Sequence, residues 1–294
     1  MKGDATMEIA FLGLGAMGSR MAKRVLGAGH AVRVYNRSSE KSRALEAVGA
    51  RRCASPREAA ANAEVVISIV TDDTASRFVW LDDDSGALAA LGADAVAVES
   101  STLTPRWVRE LALHVDAADR AFLDAPVVGS RPQADAGQLT YVVGGDPTVV
   151  NRVRPVLELI AGAVHRVGTH GSGAIAKLVV NGLFGIQVAA VAELLAMAGR
   201  NGADPNRLVE ILGSMPVTSP AVEGVMGAIL SKRFDPLFPI DLVVKDFGYV
   251  VAEEEDPRAT LPTSEAVRHL FERAAHAGLG GDNIHAVAKL FPIS

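Results

Sequence analysis

Residues 8–18 read Glu8-Ile9-Ala10-Phe11-Leu12-Gly13-Leu14-Gly15-Ala16-Met17-Gly18, an apolar run followed by three glycines in the spacing G-x-G-x-x-G. The run predicts a buried strand, and the glycines predict a tight turn into a helix whose first N–H groups bind phosphate. The alternative is a glycine-rich turn without a ligand, which the position between strand and helix disfavours. A dinucleotide is therefore predicted to bind along Gly13, Leu14, Gly15, Ala16, Met17 and Gly18.

A second predicted strand runs into Asn36, Arg37 and Ser38, which bear on the choice of cofactor. A site for NAD(H) usually places Asp or Glu here, because a carboxylate accepts a hydrogen bond from the ribose 2′-OH. The guanidinium of Arg37 can instead pair with a 2′-phosphate, and the Ser38 hydroxyl can donate to it. These three residues predict a preference for NADP(H), with NAD(H) as the second cofactor. The alternative is that Arg37 is a solvated surface charge.

Short apolar runs alternate with helical segments up to about residue 168. Capping residues followed by proline mark the helix starts Ser55-Pro56, Thr104-Pro105 and Asp146-Pro147. Nearly continuous apolar strands separated by helices predict a parallel sheet covered on both faces. The predicted strands are 9–12, 31–35, 65–70, 95–98, 121–123 and 141–143, with a helix at 149–160.

The alternation stops after residue 168, and the rest of the chain reads as helices. We therefore predict an α/β Rossmann-type N-terminal domain at 1–168, with 1–6 disordered, and an all-α C-terminal domain at 169–294, joined by a long helix. The N-terminal domain is expected to bind NADP(H), and the C-terminal domain to serve substrate binding and oligomerisation. The predicted helices are 174–200, 206–215, 222–230, 242–255, 264–277 and 284–291.

The long helix carries a lysine and an amide one turn apart. Lys177 and Asn181 are four residues apart and so share one face of that helix, behind the glycine-rich start Gly171-Ser172-Gly173. A lysine in a largely apolar helix should have a pKa lowered by desolvation, which suits a donor of a proton to a carbonyl oxygen. The alternative is a lysine that reaches solvent from the helix end. The spacing alone favours that alternative.

Composition excludes several classes of function. The formal net charge of −5 argues against non-specific binding to nucleic acid. Cys53 is the one cysteine, so no intramolecular disulfide forms, and no clustered His/Cys motif predicts a metal site. The first six residues are too polar for a signal peptide, and the apolar stretch 178–199 contains Asn181, Gln187 and Glu193, which disfavours a membrane span. We expect a cytoplasmic protein.

Four segments, in this order, resemble the motifs of the β-hydroxyacid dehydrogenase family. That family includes 3-hydroxyisobutyrate dehydrogenases, tartronate semialdehyde reductases and glyoxylate/succinic semialdehyde reductases. The similarity covers nearly the whole chain from Met7. The segments are the cofactor signature at 11–22, the substrate loop at 124–130 with 137–139, the catalytic helix at 171–181, and Phe238-Pro239 followed by Lys245-Asp246.

The resemblance implies a role for each matching position. Lys177 would be the general acid that protonates the substrate oxygen during reduction, and Asn181 would orient the substrate. The alternative for Lys245-Asp246 is a surface ion pair of little energetic weight. The other implied contacts are Val128, Gly129 and Ser130 with the substrate carboxylate, Phe238 with the substrate, Thr102 with both substrate and nicotinamide, Val70, Thr71 and Asp72 with the adenosine side, and Lys245 over the cofactor.

The substrate loop departs from the commonest family pattern. Many members read Ser-Gly-Gly where this chain has Val128-Gly129-Ser130, so one hydroxyl expected to contact a carboxylate is missing. The continuation into Arg131 is closer to the glyoxylate/succinic semialdehyde reductase branch. Asp241, however, occupies a stretch where that branch often carries a basic residue, and a carboxylate near the pocket would disfavour an acidic substrate. The resemblance therefore leaves the substrate open.

The resemblance implies an NADP(H)-dependent oxidoreductase that reduces small aldehyde acids, such as semialdehydes and glyoxylate, to hydroxy acids, or runs in reverse. One alternative is an imine reductase-like enzyme acting on bulkier substrates, although such enzymes generally replace the lysine. Another is a sensor or scaffold that binds NADP(H) without turnover. The related 6-phosphogluconate dehydrogenases have a longer chain and a histidine in the catalytic helix. Because the long helix is apolar around most of its circumference, a homodimer or homotetramer is expected.

Overall fold

The computed structural model describes residues 6–253 and 260–291. By its internal contacts the chain divides into two compact units, residues 1–177 and 178–294. The sequence pattern changes at residue 168, and the long helix begins at Ser172, between that position and the division. The disorder predicted for residues 1–6 falls almost entirely outside the described residues.

A mixed sheet forms the centre of the first unit. Its order is β3-β2-β1-β4-β5-β6-β8-β7, with β9 beside β8. The strands from β1 to β6 pair in parallel, whereas β8 runs antiparallel to β6 and β7. In the described residues the strands are β1 (Glu8–Leu12), β2 (Ala31–Tyr35), β3 (Arg51–Arg52), β4 (Val65–Ser68), β5 (Val96–Glu99), β6 (Ala121–Asp124), β7 (Val127–Val128), β8 (Leu139–Gly145) and β9 (Ala161–Gly168).

The predicted parallel sheet is confirmed from β1 to β6, and β8 adds antiparallel pairing with β6 and β7. The strands β3, β7 and β9 were not predicted, because each is short or mostly unburied. Arg51–Arg52 is a pair of exposed arginines, Val127–Val128 is two residues long, and Ala161–Gly168 is largely solvent-facing. Strands with this composition are stabilised by pairing with a neighbour rather than by burial of their own side chains.

Helices cover both faces of the sheet, and their starts follow the predicted caps. Ser55 accepts from the N–H of Glu58, and Thr104 accepts from the N–H of Trp107. The Asp146 side chain caps the helix that follows it in the same way. The helices are α1 (Gly18–Gly27), α2 (Ser39–Glu46), α3 (Pro56–Ala60), α4 (Asp73–Leu81), α5 (Pro105–Ala117), α6 (Arg131–Ala136) and α7 (Pro147–Glu158), with a 3₁₀ turn at Leu88–Ala90.

Alternation along β1 builds a separate core on each face of the sheet. Ile9 and Phe11 belong to one buried cluster, and Ala10 and Leu12 belong to the other. Because β1, β2, β4, β5 and β6 are parallel, their carboxyl ends meet at one edge. The chain leaves β1 in one direction towards β3 and returns to β4 on the other side, and ligands of such sheets bind at this reversal.

The second unit is helical, as predicted. Its core includes Val188, Phe247 and Phe271, and the absence of a side chain at Gly185 lets α8 lie against the Phe247 ring. The predicted helix 284–291 is 3₁₀ rather than α, and the end predicted at Glu255 lies outside the described residues. The elements are α8 (Ser172–Arg200), which starts in the first unit, α9 (Pro205–Gly213), α10 (Pro220–Leu230), α11 (Ile240–Ala252), α12 (Pro262–Ala274), a π-helical turn at Ala275–Leu279 and the 3₁₀ segment Ile284–Leu290.

The helix α8 is unusual in length and composition. Among the described residues, α8 is the one helix whose length and hydropathy alone would allow it to cross a membrane. Core helices of water-soluble proteins share this property. The buried lysine that α8 carries at position 177 is costly in a lipid environment.

Candidate functional site

The glycine-rich turn after β1 has the shape that a pyrophosphate needs. Gly13 has φ +100°, and a Cβ there would overlap the carbonyl oxygen of Ile69. A Cβ at Gly18 would overlap the Gly13 carbonyl oxygen. A Cβ at Gly15, by contrast, would meet no atom within 4 Å. The first and third glycines therefore serve close packing of the chain, and the middle one borders open space that a ligand can enter.

The start of α1 is open to an anion. Among the described residues, no side chain caps this helix, whose N-cap is Met17. The N–H of Leu14 donates to the Asn36 Oδ1 at 2.8 Å, and the Asn36 amide donates in turn to the Ser38 carbonyl at 2.9 Å. Asn36, predicted as a cofactor contact, thus has its amide engaged in tying the end of β2 to the glycine turn.

Arg37 and Ser38 lie just beyond the carboxyl end of β2, and both are exposed. Within the part of the chain that the structure describes, Arg37 makes no salt bridge. A cavity of about 580 Å³ opens beside the glycine turn, where Gly15 and Ala16 form part of its wall. Its charged lining residues are Arg20, Lys23, Lys41, Arg131 and Asp135.

This lining gives the region next to the turn a net positive charge, since Asp135 is the one acid against four bases. Asp135 pairs with Arg20 at 2.9 Å, which leaves three basic side chains to act on a ligand. Sequence reasoning missed Lys41. Its position in the first turn of α2, four residues after Arg37, was the available signal.

Two further loops at the same sheet edge are tied together. The N–H of Val70 donates to the Ser101 Oγ at 2.7 Å, joining the loop after β4 to the loop after β5. Asp72 caps α4 by accepting from the N–H of Ala75 at 2.8 Å, and Thr71 is exposed beside it. Thr102 follows Ser101 directly and is half-buried. The predicted residues 70–72 and 102 therefore belong to one connected pair of loops.

A fully buried carboxylate, Glu99, supports this pair of loops. It accepts from Ser76 Oγ at 2.6 Å, from Trp80 Nε1 at 2.8 Å and from the N–H of Ser101 at 3.0 Å. Burial raises the pKa of Glu99, and the hydrogen bonds from Ser101, Ser76 and Trp80 oppose that rise. Sequence analysis did not single out this residue, because a glutamate at a strand end gives no sign of its partners.

The substrate loop predicted at 128–130 follows β7. Gly129 has φ +118°, a conformation that favours glycine. Ser130 and Gln133 form a capping box at the start of α6, in which the Ser130 N–H donates to the Gln133 Oε1 at 3.0 Å. The Ser130 N–H, expected to contact a carboxylate, is therefore engaged within the protein. Val128 is half-buried and Gly129 is exposed.

Lys177 lies in the second turn of α8 and is 9% exposed. The first turn of that helix meets Asp124 at the end of β6, where the N–H of Ala174 donates to Asp124 Oδ2 at 3.1 Å. Gly173 makes this approach possible, since a Cβ there would lie 2.6 Å from the Asp124 carbonyl oxygen. The start of α8 is thus fixed to the sheet directly beside the segment that leads to the substrate loop.

In the second unit, Asn181 is held by Asp246. The Asn181 amide donates to Asp246 Oδ2 at 2.6 Å, and Lys245 Nζ lies 2.9 Å from Asp246 Oδ1. The ammonium of Lys245 also lies 4.5 Å from the centre of the Tyr249 ring. Asp246 is 3% exposed, so the reading of Lys245-Asp246 as a surface ion pair was wrong.

Two other residues of the second unit were singled out from the sequence: Phe238 packs against its core and Asp241 lies on its surface. Phe238 packs against the core, and its N–H donates to Asn283 Oδ1 at 2.7 Å. Asp241, considered as a charge near the substrate, is exposed and lies against Gly280. Among the described residues, no group of three or more His, Cys, Asp or Glu side chains is arranged to hold a metal ion.

The structure therefore brings the predicted residues into two sets, one in each unit. In the first unit, the predicted residues follow strands at the reversal of the sheet and its neighbouring edge: they are the glycine turn, 36–38, 70–72, 102 and 128–130. Lys177 lies near the start of α8. In the second unit, Asn181 shares a buried carboxylate with Lys245. The open Gly15 position and the uncapped α1 fit a dinucleotide phosphate group, and the adjacent basic lining fits further negative charge.

Comparison with known proteins agrees with this geometry. A family model described as the NAD binding domain of 6-phosphogluconate dehydrogenase matches residues 8–168. A second, described as NAD-binding of NADP-dependent 3-hydroxyisobutyrate dehydrogenase, matches residues 171–291. Both halves of the chain therefore match nicotinamide-dependent dehydrogenases.

Individual relatives are similar over their full length. A 3-hydroxyisobutyrate dehydrogenase from Pseudomonas aeruginosa is 34% identical, with 97% of this chain and 98% of the relative covered. An L-threonate dehydrogenase from Cupriavidus necator is 33% identical, with 97% and 96% covered. The solved structure of a Mycobacterium tuberculosis 3-hydroxyisobutyrate dehydrogenase with L-serine superposes with a TM-score of 0.90, at 29% identity and coverage of 97% and 99%.

Proposed function

Since this chain belongs to the β-hydroxyacid dehydrogenase family and is an NAD(P)-dependent oxidoreductase of hydroxy acids, we propose that it interconverts small aldehyde acids and hydroxy acids with NADP(H), and that Lys177 is its general acid. The single observation that carries the proposal is the buried Lys177 on α8, one turn before Asn181. Burial of an ammonium costs free energy, and ionisable groups in such surroundings cluster at functional sites.

The residues of the chain account for binding and proton transfer. The cofactor, when bound, supplies the hydride that reduces the carbonyl carbon. Lys177 donates a proton to the carbonyl oxygen during reduction and accepts it during oxidation. Asn181, whose amide N–H is engaged by Asp246, keeps its carbonyl oxygen available to accept from the substrate hydroxyl. Glycine turn N–H groups hold the pyrophosphate.

A preference for NADP(H) is supported by charge. Arg37 is exposed beside the glycine turn, and Lys41 lines the cavity next to it. Two such cations stabilise a bound 2′-phosphate dianion more than they stabilise a ribose hydroxyl, because charge-assisted hydrogen bonds are stronger. We expect Arg37→Ala to weaken NADPH binding about tenfold or more while NADH binding changes little. Arg43→Ala, an exposed arginine six residues further along, is the matched control. Equal affinities for both cofactors in the native protein would contradict the preference.

Aldehyde acids of three or four carbons, together with glyoxylate, are the proposed substrates. The named relatives act on 3-hydroxyisobutyrate and L-threonate, and a similar structure holds L-serine. All three are small molecules with a carboxylate and a hydroxyl. In this chain, Gly129 leaves the loop surface free of a side chain, and Arg131 at the next helix start adds a positive charge to the same region.

Self-association through α8 is also proposed. Val179, Leu183, Leu194 and Met197 are between 45% and 63% exposed and form one stripe along the helix. Val179 and Leu183 lie roughly 200° and 240° around the axis from Lys177. The stripe therefore faces away from the side that carries Lys177 and Asn181. A second copy of the chain that covers it would form a homodimer, or part of a homotetramer, without blocking Lys177.

Turnover by the purified protein is the test of the proposed function. NADPH and NADH oxidation would be followed with glyoxylate, succinic semialdehyde, methylmalonate semialdehyde and tartronate semialdehyde. We expect NADPH-dependent turnover of at least one, reduced by about 10³-fold or more in Lys177→Ala, in line with loss of general acid catalysis. Lys289→Ala, an exposed lysine paired with Asp282, is the control. Tight NADPH binding without turnover would instead indicate a sensor or a different substrate class.

A further inference from the structure

Asp124 is a completely buried carboxylate at the carboxyl end of β6. Its Oδ2 accepts from the N–H of Ala174 at 3.1 Å. This donor belongs to the first turn of α8. Among the described residues, the buried Oδ1 has no hydrogen-bond partner. The side chain thus makes its bonds to the helix that carries Lys177.

Two glycines close around this carboxylate. A Cβ at Gly144, on β8, would overlap Asp124 Oδ1, and a Cβ at Gly173, on α8, would lie 2.8 Å from Oδ2. Neither strand nor helix could approach as closely with any larger residue. The carboxylate is therefore confined to one position, and so is the first turn of α8 that it binds.

We propose that Asp124 is a positioning residue for the reaction: its carboxylate anchors the first turn of α8 to the sheet and thereby sets the location of the Lys177 ammonium relative to the loop at 128–130. Ala174 precedes Lys177 by three residues, which is less than one turn of helix. Asp124 precedes Val128 by four residues on the other side. One side chain therefore joins the proton donor to the loop proposed to bind substrate. This inference rests on the proposed role of Lys177.

The ionisation of Asp124 connects this anchor to pH. Burial raises the pKa of Asp124 to about 6, although the N–H groups of Ala174 and Gly171 and the charge of His170 act to lower it. The charged groups on the surrounding elements are Glu99 on β5, Arg109 on α5, Arg166 on β9, His170 just before α8 and Lys177 on α8 itself. The charge of His170 is one of the causes that lower the pKa of the Asp124 carboxyl. Protonation weakens the hydrogen bonds to the helix start, since a charged acceptor binds N–H groups more strongly.

The expected pH dependence is opposite to that of a lysine acid. In the reductive direction, Lys177 as proton donor loses activity as the pH rises. Protonation of Asp124 would instead lower the maximal rate as the pH falls through about 6. A decline on the acid side of the reductive profile is therefore not a property of the donor, and the Asp124→Asn variant tests whether it belongs to the anchor.

The experiment is the pH profile of NADPH-dependent reduction at saturating substrate, from pH 5 to pH 9. We expect the native enzyme to show an acid limb near pH 6. Asp124→Asn keeps the shape but not the charge, so its rate should be about tenfold or more below native at pH 8 and should show no acid limb, as expected from a displaced catalytic group. NADPH affinity should stay within about twofold, because the glycine turn is untouched.

Two controls separate the anchor from other causes. Asp146→Asn makes the same change at the exposed N-cap of α7 and should leave the profile native. His170→Asn removes the charge that lowers the pKa of Asp124, so the limb should move to higher pH. Disappearance of the limb in His170→Asn would assign it to that histidine and overturn the inference.

The outcomes for Asp124 and for Lys177 are distinguishable. Retention of activity in Lys177→Ala would refute the proposed function whatever the pH profile is. If Lys177→Ala is inactive but Asp124→Asn has the native rate and limb, the anchor alone is refuted. Should Asp124→Asn fail to fold, as judged by circular dichroism, the native profile still decides the matter: a rate that is flat from pH 5 to pH 7 overturns the inference.

Discussion

At the scale of single residues, Asp246 holds the amide of Asn181, the residue proposed to orient the substrate. Its buried carboxylate accepts the Asn181 amide N–H at 2.6 Å, which fixes the amide oxygen on the opposite side. Asp246→Asn would replace this charged acceptor by an amide and release Asn181. We expect kcat to fall about tenfold, corresponding to the 1.5 kcal/mol or more that a charged hydrogen bond contributes.

Steady-state kinetics with NADPH would measure this effect. Asp241→Asn is the control, because it makes the same change on the same helix at an exposed position. NADPH affinity should be unchanged in the control. A kcat in Asp246→Asn equal to that of the native enzyme would show that Asn181 does not depend on this bond.

Asp124 should also affect stability as a function of pH. Its pKa is about 6 in the folded chain and near 3.8 in the unfolded chain, so the folded state binds the proton more tightly. Stability from this group is therefore fully present below pH 4 and is lost as the pH rises through 6. The loss is on the order of 3 kcal/mol, at about 1.4 kcal/mol per pKa unit.

Urea unfolding of native protein and Asp124→Asn at pH 4.5 and pH 8 would measure this term. The free energy of unfolding of the variant, relative to native, should be more favourable at pH 8 than at pH 4.5. Other titrating groups are common to both proteins and cancel in the difference. An identical difference at the two pH values would mean that Asp124 is not the buried acid that its surroundings indicate.

Residue identity predicted the glycine turn and the lysine helix better than it predicted the partners of polar side chains. The three glycines have a fixed spacing, which the sequence displays directly. Asn36, Glu99 and Asp246 act through hydrogen bonds to residues far away in the chain. No local pattern reveals such partners, so the bonds of Asn36 to Leu14 and Ser38 were not foreseen and Glu99 was overlooked.

At the scale of secondary structure elements, the connection from β1 to α1 separates stability from binding. Gly18→Ala would push a methyl group into the Gly13 carbonyl oxygen and within 2.7 Å of Ile69 Cγ2. We expect this change to lower the free energy of unfolding by about 2 kcal/mol or more, as overpacking does. Gly15→Ala meets no atom within 4 Å and should leave stability nearly unchanged while weakening NADPH binding.

Thermal unfolding and NADPH titration of the two variants give the comparison. Gly27→Ala is the control, since its Cβ also meets no atom within 4 Å and it lies at the far end of α1. It should match the native protein in NADPH affinity. Equal NADPH affinity in Gly15→Ala and Gly27→Ala would place the pyrophosphate away from the turn.

Elements were predictable where burial or capping chemistry shapes their sequence. The strands β1, β2, β4 and β5 are nearly all apolar because helices cover both sides of them. Capped starts such as Ser55-Pro56 located helices to within a residue or two. The edge strands β3 and β9 carry exposed polar residues, and β8 returns antiparallel to β6 after the chain has passed through β7 and α6. Neither feature appeared in the hydrophobic pattern.

At the scale of the whole molecule, two compact units with separate cores follow from a change in hydrophobic period. The first half alternates strands and helices, and the second half has helical spacing alone. This change predicted an α/β part followed by an all-α part. The sequence could not show whether the apolar surface of α8 is covered within one chain, because periodicity reports burial without naming the partner.

The exposed stripe on α8 makes a prediction about assembly. Four large apolar side chains in one row, each about half-exposed, would contribute about 1 kcal/mol each to association once covered. Leu183→Glu would place a charge in the centre of that row and should convert the native oligomer into a monomer. Light scattering coupled to size-exclusion chromatography would report the mass of each species.

Leu113→Glu tests whether any exposed leucine would behave in the same way. Leu113 is 70% exposed on α5, away from the stripe, so its replacement by glutamate should leave the native mass unchanged. A monomeric native protein, or a Leu183→Glu variant of native mass, would refute association through α8. If Leu183→Glu is monomeric and retains turnover, then Lys177 and the other active-site groups are complete within one chain, as expected from a stripe on the opposite side of the helix.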